Sequence, residues 1–208
     1  AGATWALILA LPLLVGASLC FLSPQLQRLQ RRYRAYASLR HQALVPLGAN
    51  FTPHLGTIRT IATRRSGDFK WSGIAALGAK LYCVPFHADD LLVLDSVSHA
   101  RRALASGVAW NGKWSGAAAW QGELFCAPFN ADEVLVVDIA DGSTRSIPTA
   151  GAGGGSGDFK WAGIAALGER LYCAPHNADG VLVIDPVTGK THTIETGRSG
   201  AGKWHGIA

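Results

Sequence analysis

The chain has 208 residues, 49% of them hydrophobic and only 16% charged, with a formal net charge of +5. That balance excludes an acidic or disordered tail protein, and the excess charge is local: residues 1–45 hold five arginines and no acid, whereas residues 46–208 balance 14 Lys and Arg against 14 Asp and Glu. Positive charge concentrated beside an apolar N-terminus points to a membrane surface rather than to nucleic acid, and no aromatic residues interleave a basic groove as a nucleic-acid partner would require.

The first predicted element is a transmembrane helix within residues 1–22. From Trp5 to Leu22 there is no charged residue, and this run spans about 27 Å as helix against a hydrocarbon core of roughly 30 Å. Membrane helices tolerate a residue such as Pro12, and Trp5 suits the lipid–water interface. A signal peptide is the rival, but it would carry positive charge ahead of the apolar run. The chain contains no methionine and opens Ala-Gly-Ala, which is expected of a processed or partial chain. Ser23-Pro24 then reads as a helix N-cap followed by proline at the first helical position. Residues 23–45 form a basic amphipathic juxtamembrane helix, with Leu26, Leu29, Tyr33 and Tyr36 along one face. Arg28, Arg31, Arg32, Arg34 and Arg40 occupy the rest and, with Trp5, are the expected membrane and partner contacts. Basic residues flanking a single span keep that end on the side of synthesis, so the segment that follows is expected on the stromal or matrix side of a thylakoid or mitochondrial inner membrane.

Residues 46–208 are dominated by a repeat. "KWSGIAALGAKLYCVPFHADDLLVLD" starts at Lys70, near-copies start at Lys113 and Lys160, and "KWHGIA" starts at Lys203. The spacing is 43, 47 and 43 residues, a period of propellers and solenoids. The four extra residues fall in the "AGAGGGSG" stretch beginning at Ala150, a loop rather than a phosphate cradle, since no helix follows it. The third copy holds four strand candidates, "GIAAL", "RLYCAPH", "GVLVID" and "THTIET", with "DPVTGK" as the strongest turn. Four short strands per 43 residues is one propeller blade. Leu81 and Cys83 alternate with Tyr82 and Val84, so both strand faces are apolar and both must be covered. "GTIRTIAT" (Gly56–Thr63) reads as the outer strand of an earlier blade.

Trp71, Trp114, Trp161 and Trp204 are expected to fill inter-blade space together with Cys83, Cys126 and Cys173. Gly73, Gly116, Gly163 and Gly206 would let backbones approach. Lys70, Lys113, Lys160 and Lys203 are expected to be solvated at blade edges, and Asp95, Asp138 and Asp185 to accept turn hydrogen bonds. The cysteines, Cys20 included, lack a CxxC pair and read as free thiols.

"GERLYCAPHNADGVLVIDPVTGKTHTIETG" resembles YVTN-type β-propeller repeats and, more loosely, Kelch and NHL repeats. The resemblance runs from about Thr57 to the end. It implies a mainly β fold, a partial β-propeller of four-stranded blades with three full repeats plus fragments. It also implies a binding platform, although some such propellers are enzymes with residues in the central channel. A closed propeller needs at least four blades, so further blades or a partner are expected to cover the open faces.

No catalytic residue and no metal site is read from the sequence, and a cofactor-binding site is unknown. The seven histidines show no metal-ligand spacing, and no GxSxG, HExxH or P-loop is present. The expected role is a non-catalytic accessory subunit of a large organellar membrane complex, a photosystem ahead of a respiratory complex. Its partners would be the neighbouring subunits and membrane lipids, and pigments or lipids would belong to the host complex. A membrane-anchored propeller enzyme or ligand receptor is the alternative.

Overall fold

A computed structural model describes residues 60–150, 152 and 157–208. The expected transmembrane helix, the basic helix and their contact residues Trp5, Arg28, Arg31, Arg32, Arg34 and Arg40 lie outside the described residues, as does Cys20. Among the described residues, no helix is long and apolar enough to cross a membrane.

Twelve strands make three four-stranded antiparallel sheets. The first comprises β1 (Trp71–Leu77), β2 (Lys80–Pro85), β3 (Asp90–Asp95) and β4 (Arg101–Ala105). The second comprises β5 (Trp114–Trp120), β6 (Glu123–Pro128), β7 (Glu133–Asp138) and β8 (Thr144–Pro148). The third comprises β9 (Trp161–Leu167), β10 (Arg170–Pro175), β11 (Gly180–Ile184) and β12 (Thr191–Glu195). Each sheet is a meander in chain order, because every connection is a short turn and consecutive antiparallel strands need nothing longer. The turns after β3, β7 and β11 are shaped by the repeated aspartate. Asp95 Oδ1 accepts from the N–H of Ser98 at 2.8 Å and Val97 at 3.1 Å, Asp138 Oδ1 from Ala140 at 2.9 Å, and Asp185 Oδ1 from Val187 at 3.0 Å.

The first strand of each blade is bulged near its start, and β1, β5 and β9 lie side by side. Glycine sets that spacing. A Cβ on Gly73 would sit 2.6 Å from Gly116 Cα, one on Gly116 2.9 Å from Gly163 Cα, and one on Gly163 2.9 Å from Gly206 Cα. Only a residue without a side chain lets the three innermost strands meet backbone to backbone.

Farther from that line the blades splay, and apolar side chains fill the wedge. Tyr82, Val84, Leu91 and Val93 of the first blade pack on Leu124, Cys126, Leu135 and Val137 of the second. The opposite face of the second blade, Phe125, Val134, Val136 and Ile147, packs on Leu171, Cys173, Leu182 and Ile184 of the third. Every residue of β6 is buried. The one carboxylate in that strand, Glu123, is 1% exposed and pairs with Arg145 Nη2 at 3.0 Å. On the outer face of the first blade, by contrast, Leu81, Cys83, Leu92 and Leu94 are only half-buried.

One expected strand differs. Thr60–Thr63, the described part of "GTIRTIAT", carries no strand assignment. An extended segment becomes a strand only when a neighbour completes its hydrogen-bond ladder, and here the contact is a side chain, Arg101 Nη1 donating to Ala62 O.

Candidate functional site

The turns between the second and third strands of each blade share one face of the molecule with the segments entering the next blade. These turns hold Phe86 and His87, Phe129 and Asn130, and His176 and Asn177, three pairs at one repeat position. The entering residue is always the repeated lysine. Its backbone N–H reaches back to the preceding blade: Lys113 N donates to Phe86 O at 3.2 Å, Lys160 N to Phe129 O at 2.7 Å, and Lys203 N to His176 O at 2.9 Å.

The lysine side chain makes the same journey. Lys113 Nζ donates to Ala88 O at 2.8 Å and Trp110 O at 2.5 Å. Lys160 Nζ donates to Asn130 O at 3.2 Å and meets Asp132 Oδ1 at 3.0 Å. Lys203 Nζ donates to Asn177 O at 3.0 Å. This corrects the expectation of solvated lysines at Lys113 and Lys160, which are 0% and 3% exposed, whereas Lys70 and Lys203 are half-buried. An ammonium has three donors, and backbone carbonyls of two blades compensate its desolvation. Burial still pulls the Lys113 ammonium below the usual lysine range, with Asp89 opposing.

The asparagine completes the latch. Asn130 Oδ1 accepts from Phe159 N at 2.8 Å, and Asn177 Oδ1 from Gly202 N at 3.0 Å. In the first blade His87 stands at that position and stacks on Phe86, ring centroids 4.9 Å apart.

The tryptophans serve each blade internally. Trp71, Trp114 and Trp161 donate Nε1–H to Asp90 O, Glu133 O and Gly180 O at 3.0, 2.9 and 3.0 Å. Trp114 and Trp161 are 1% exposed and belong to the two inter-blade clusters; Trp204 is 39% exposed. Cys126 and Cys173 lie in the same clusters, Cys83 is half-buried, and all three are free. Burial pushes their thiols upward.

Aromatic rings run across this face without a break. Phe69 meets His87 at 5.7 Å, His87 stacks on Phe86, and Phe86 meets Phe129 at 5.5 Å. Phe129 meets Phe159 at 4.9 Å and His176 at 5.5 Å, and His176 meets His205 at 4.5 Å. Phe69 is 74% exposed, and Trp110 and Phe159 are each 44% exposed. The row ends where His176 Nε2 and His205 Nε2 approach to 3.1 Å. These histidines carry no spacing motif. Their signal is departure from the repeat, since His176 replaces Phe86 and Phe129, and His205 replaces Ser72, Ser115 and Ala162.

No family model and no curated protein matches the chain. Solved structures do. A streptogramin B lyase matches with TM-score 0.53 at 15% identity, covering 63% of this chain and 42% of that one. Hydrazine synthase from Kuenenia stuttgartiensis matches with TM-score 0.52 at 20% identity, covering 70% and 41%. A virginiamycin B lyase from Staphylococcus aureus matches with TM-score 0.50 at 9% identity, covering 59% and 40%. This chain therefore matches about two-fifths of the length of each. At such identities the likeness concerns fold alone, and the fold is mainly β, with three four-stranded antiparallel sheets arranged as blades of a partial β-propeller.

Proposed function

We propose that the chain is a non-catalytic docking module with YVTN-type blades, an accessory subunit that holds neighbouring components of a larger membrane assembly together. In this proposal the apolar run Trp5–Leu22 and its arginine flank tether the blades to an organellar membrane, a thylakoid ahead of a mitochondrial inner membrane. The exposed aromatic row then meets the partner. The observation that carries the reading is the fate of the repeated polar residues. Lysine, asparagine, tryptophan Nε1 and turn aspartate all hydrogen-bond within or between blades, while Phe69 and Phe159, members of the aromatic row, stay exposed. Exposed aromatics around a rigid face are what protein interfaces are enriched in.

Native-gel migration in mild detergent tests this. The chain is expected to migrate with a larger assembly, and F69A combined with F159A is expected to release it while leaving the blades folded. Migration of the unaltered chain as a free monomer would overturn the proposal. The His176–His205 contact favours a second reading, a ligand receptor or enzyme whose chemistry sits at that end of the row.

A further inference from the structure

At the two histidine positions the other repeats carry residues that serve the fold. Phe86 and Phe129 continue the aromatic row with no polar atom. At the other position Ser72 and Ser115 join hydroxyls at 3.1 Å across neighbouring innermost strands. Two independent departures from the repeat, 29 residues apart, place two imidazole nitrogens 3.1 Å from each other.

The protonation of His176 follows from its neighbour. Asn177 Nδ2 donates to Asp158 O at 3.1 Å, and Asn177 Oδ1 accepts from Gly202 N at 3.0 Å. The amide is thus oriented from both sides. His176 Nδ1 lies 3.0 Å from that same Oδ1, which can only accept, so Nδ1 carries the hydrogen. In the neutral ring the lone pair is then on Nε2, directed at His205. A histidine whose far nitrogen donates to an oxygen, fixing the ring and its tautomer, is the usual arrangement of a metal ligand. Two nitrogens bound at 2.0–2.1 Å on a tetrahedral ion lie about 3.4 Å apart, a few tenths of an ångström from the spacing here. His205 is exposed and His176 half-buried among the described residues. Among the described residues no group of three or more His, Cys, Asp or Glu converges. His176 and His205 are therefore the two ligands on offer among the described residues.

We propose that His176 Nε2 and His205 Nε2 together bind one first-row transition-metal dication of the Zn2+ or Cu2+ class at the end of the aromatic row. This goes beyond a docking role and does not depend on it.

Calorimetric titration of the 208-residue chain with Zn2+, and electron paramagnetic resonance with Cu2+, test the assignment. One equivalent is expected to bind, and Cu2+ is expected to show hyperfine coupling to two nitrogens. The substitutions H176F and H205S restore the residues of the other repeats, so sheet content by circular dichroism should hold. Each alone should weaken binding at least about tenfold, and the pair should abolish it. Absence of binding, or unchanged binding in the double variant, would reduce the contact to a hydrogen bond and overturn the proposal. Diethyl pyrocarbonate labelling read by mass spectrometry supplies a check on the unsubstituted chain. Zn2+ should protect His176 and His205 while His99 and His192 still react, and equal labelling with and without metal would count against it.

Discussion

Lys113 shows how a single side chain joins two blades. Its ammonium supplies hydrogen bonds to Ala88 O and Trp110 O from a fully buried position. Replacing it by methionine keeps the apolar stem but leaves those carbonyls without a donor, at a cost of roughly 1.5–3 kcal/mol. Urea unfolding of K113M should show the loss, and an unchanged midpoint would mean that water serves the carbonyls equally well. The turn aspartates respond to acid. Hydrogen bonds from the N–H of Ser98 and of Thr188, the largest causes, hold the Asp95 and Asp185 carboxyls below their usual range. Folded values below unfolded ones mean that the stabilisation is fully present above about pH 4 and is lost as pH falls through the folded values. The urea midpoint should therefore drop below pH 4, and the combined D95N and D185N substitutions should flatten that drop.

At the scale of the strand, the glycine line decides whether blades can meet. Gly116 has φ +88° and faces Gly163 Cα at 2.9 Å, whereas Gly107 has φ +78° and faces open space. Both G116A and G107A strain the backbone by about 1–2 kcal/mol, so G107A isolates that shared effect. Only G116A must also push β5 and β9 apart, and its melting temperature should fall well below that of G107A; equal melting would remove the glycines from the packing. Four strands per repeat and their positions are legible in the sequence, because apolar strand candidates separated by turns recur with a 43-residue period. Residues 161–167, 170–175, 180–184 and 191–195 fall within two residues of the candidates in the third repeat. The lysines were misread because hydropathy treats a buried, multiply bonded ammonium as a surface charge. The histidine pair was illegible as spacing, since the fold brings together positions 176 and 205 from different blades. It could be found only by asking which residues break the repeat.

Across the described blades, burial is deepest in β6 and β7. Every residue of β6 is buried and β7 is half-buried only at its two ends, whereas the fourth strand of each blade, β4, β8 and β12, is mostly exposed. Local opening is least costly where few apolar contacts are buried, so it should begin at these outer strands. Hydrogen exchange followed by mass spectrometry should find β6 and β7 slowest and β4, β8 and β12 fastest, and uniform protection across the twelve strands would contradict this. The joint between the first and second blades reuses the chemistry of the joint between the second and third: lysine to carbonyl, glycine on glycine, and an aromatic or aliphatic face against a leucine-and-cysteine face. Any in-frame duplication or loss of one 43-residue coding unit would consequently generate compatible neighbours at once. Genetic recombination could alter the number of blades without first inventing a new contact surface.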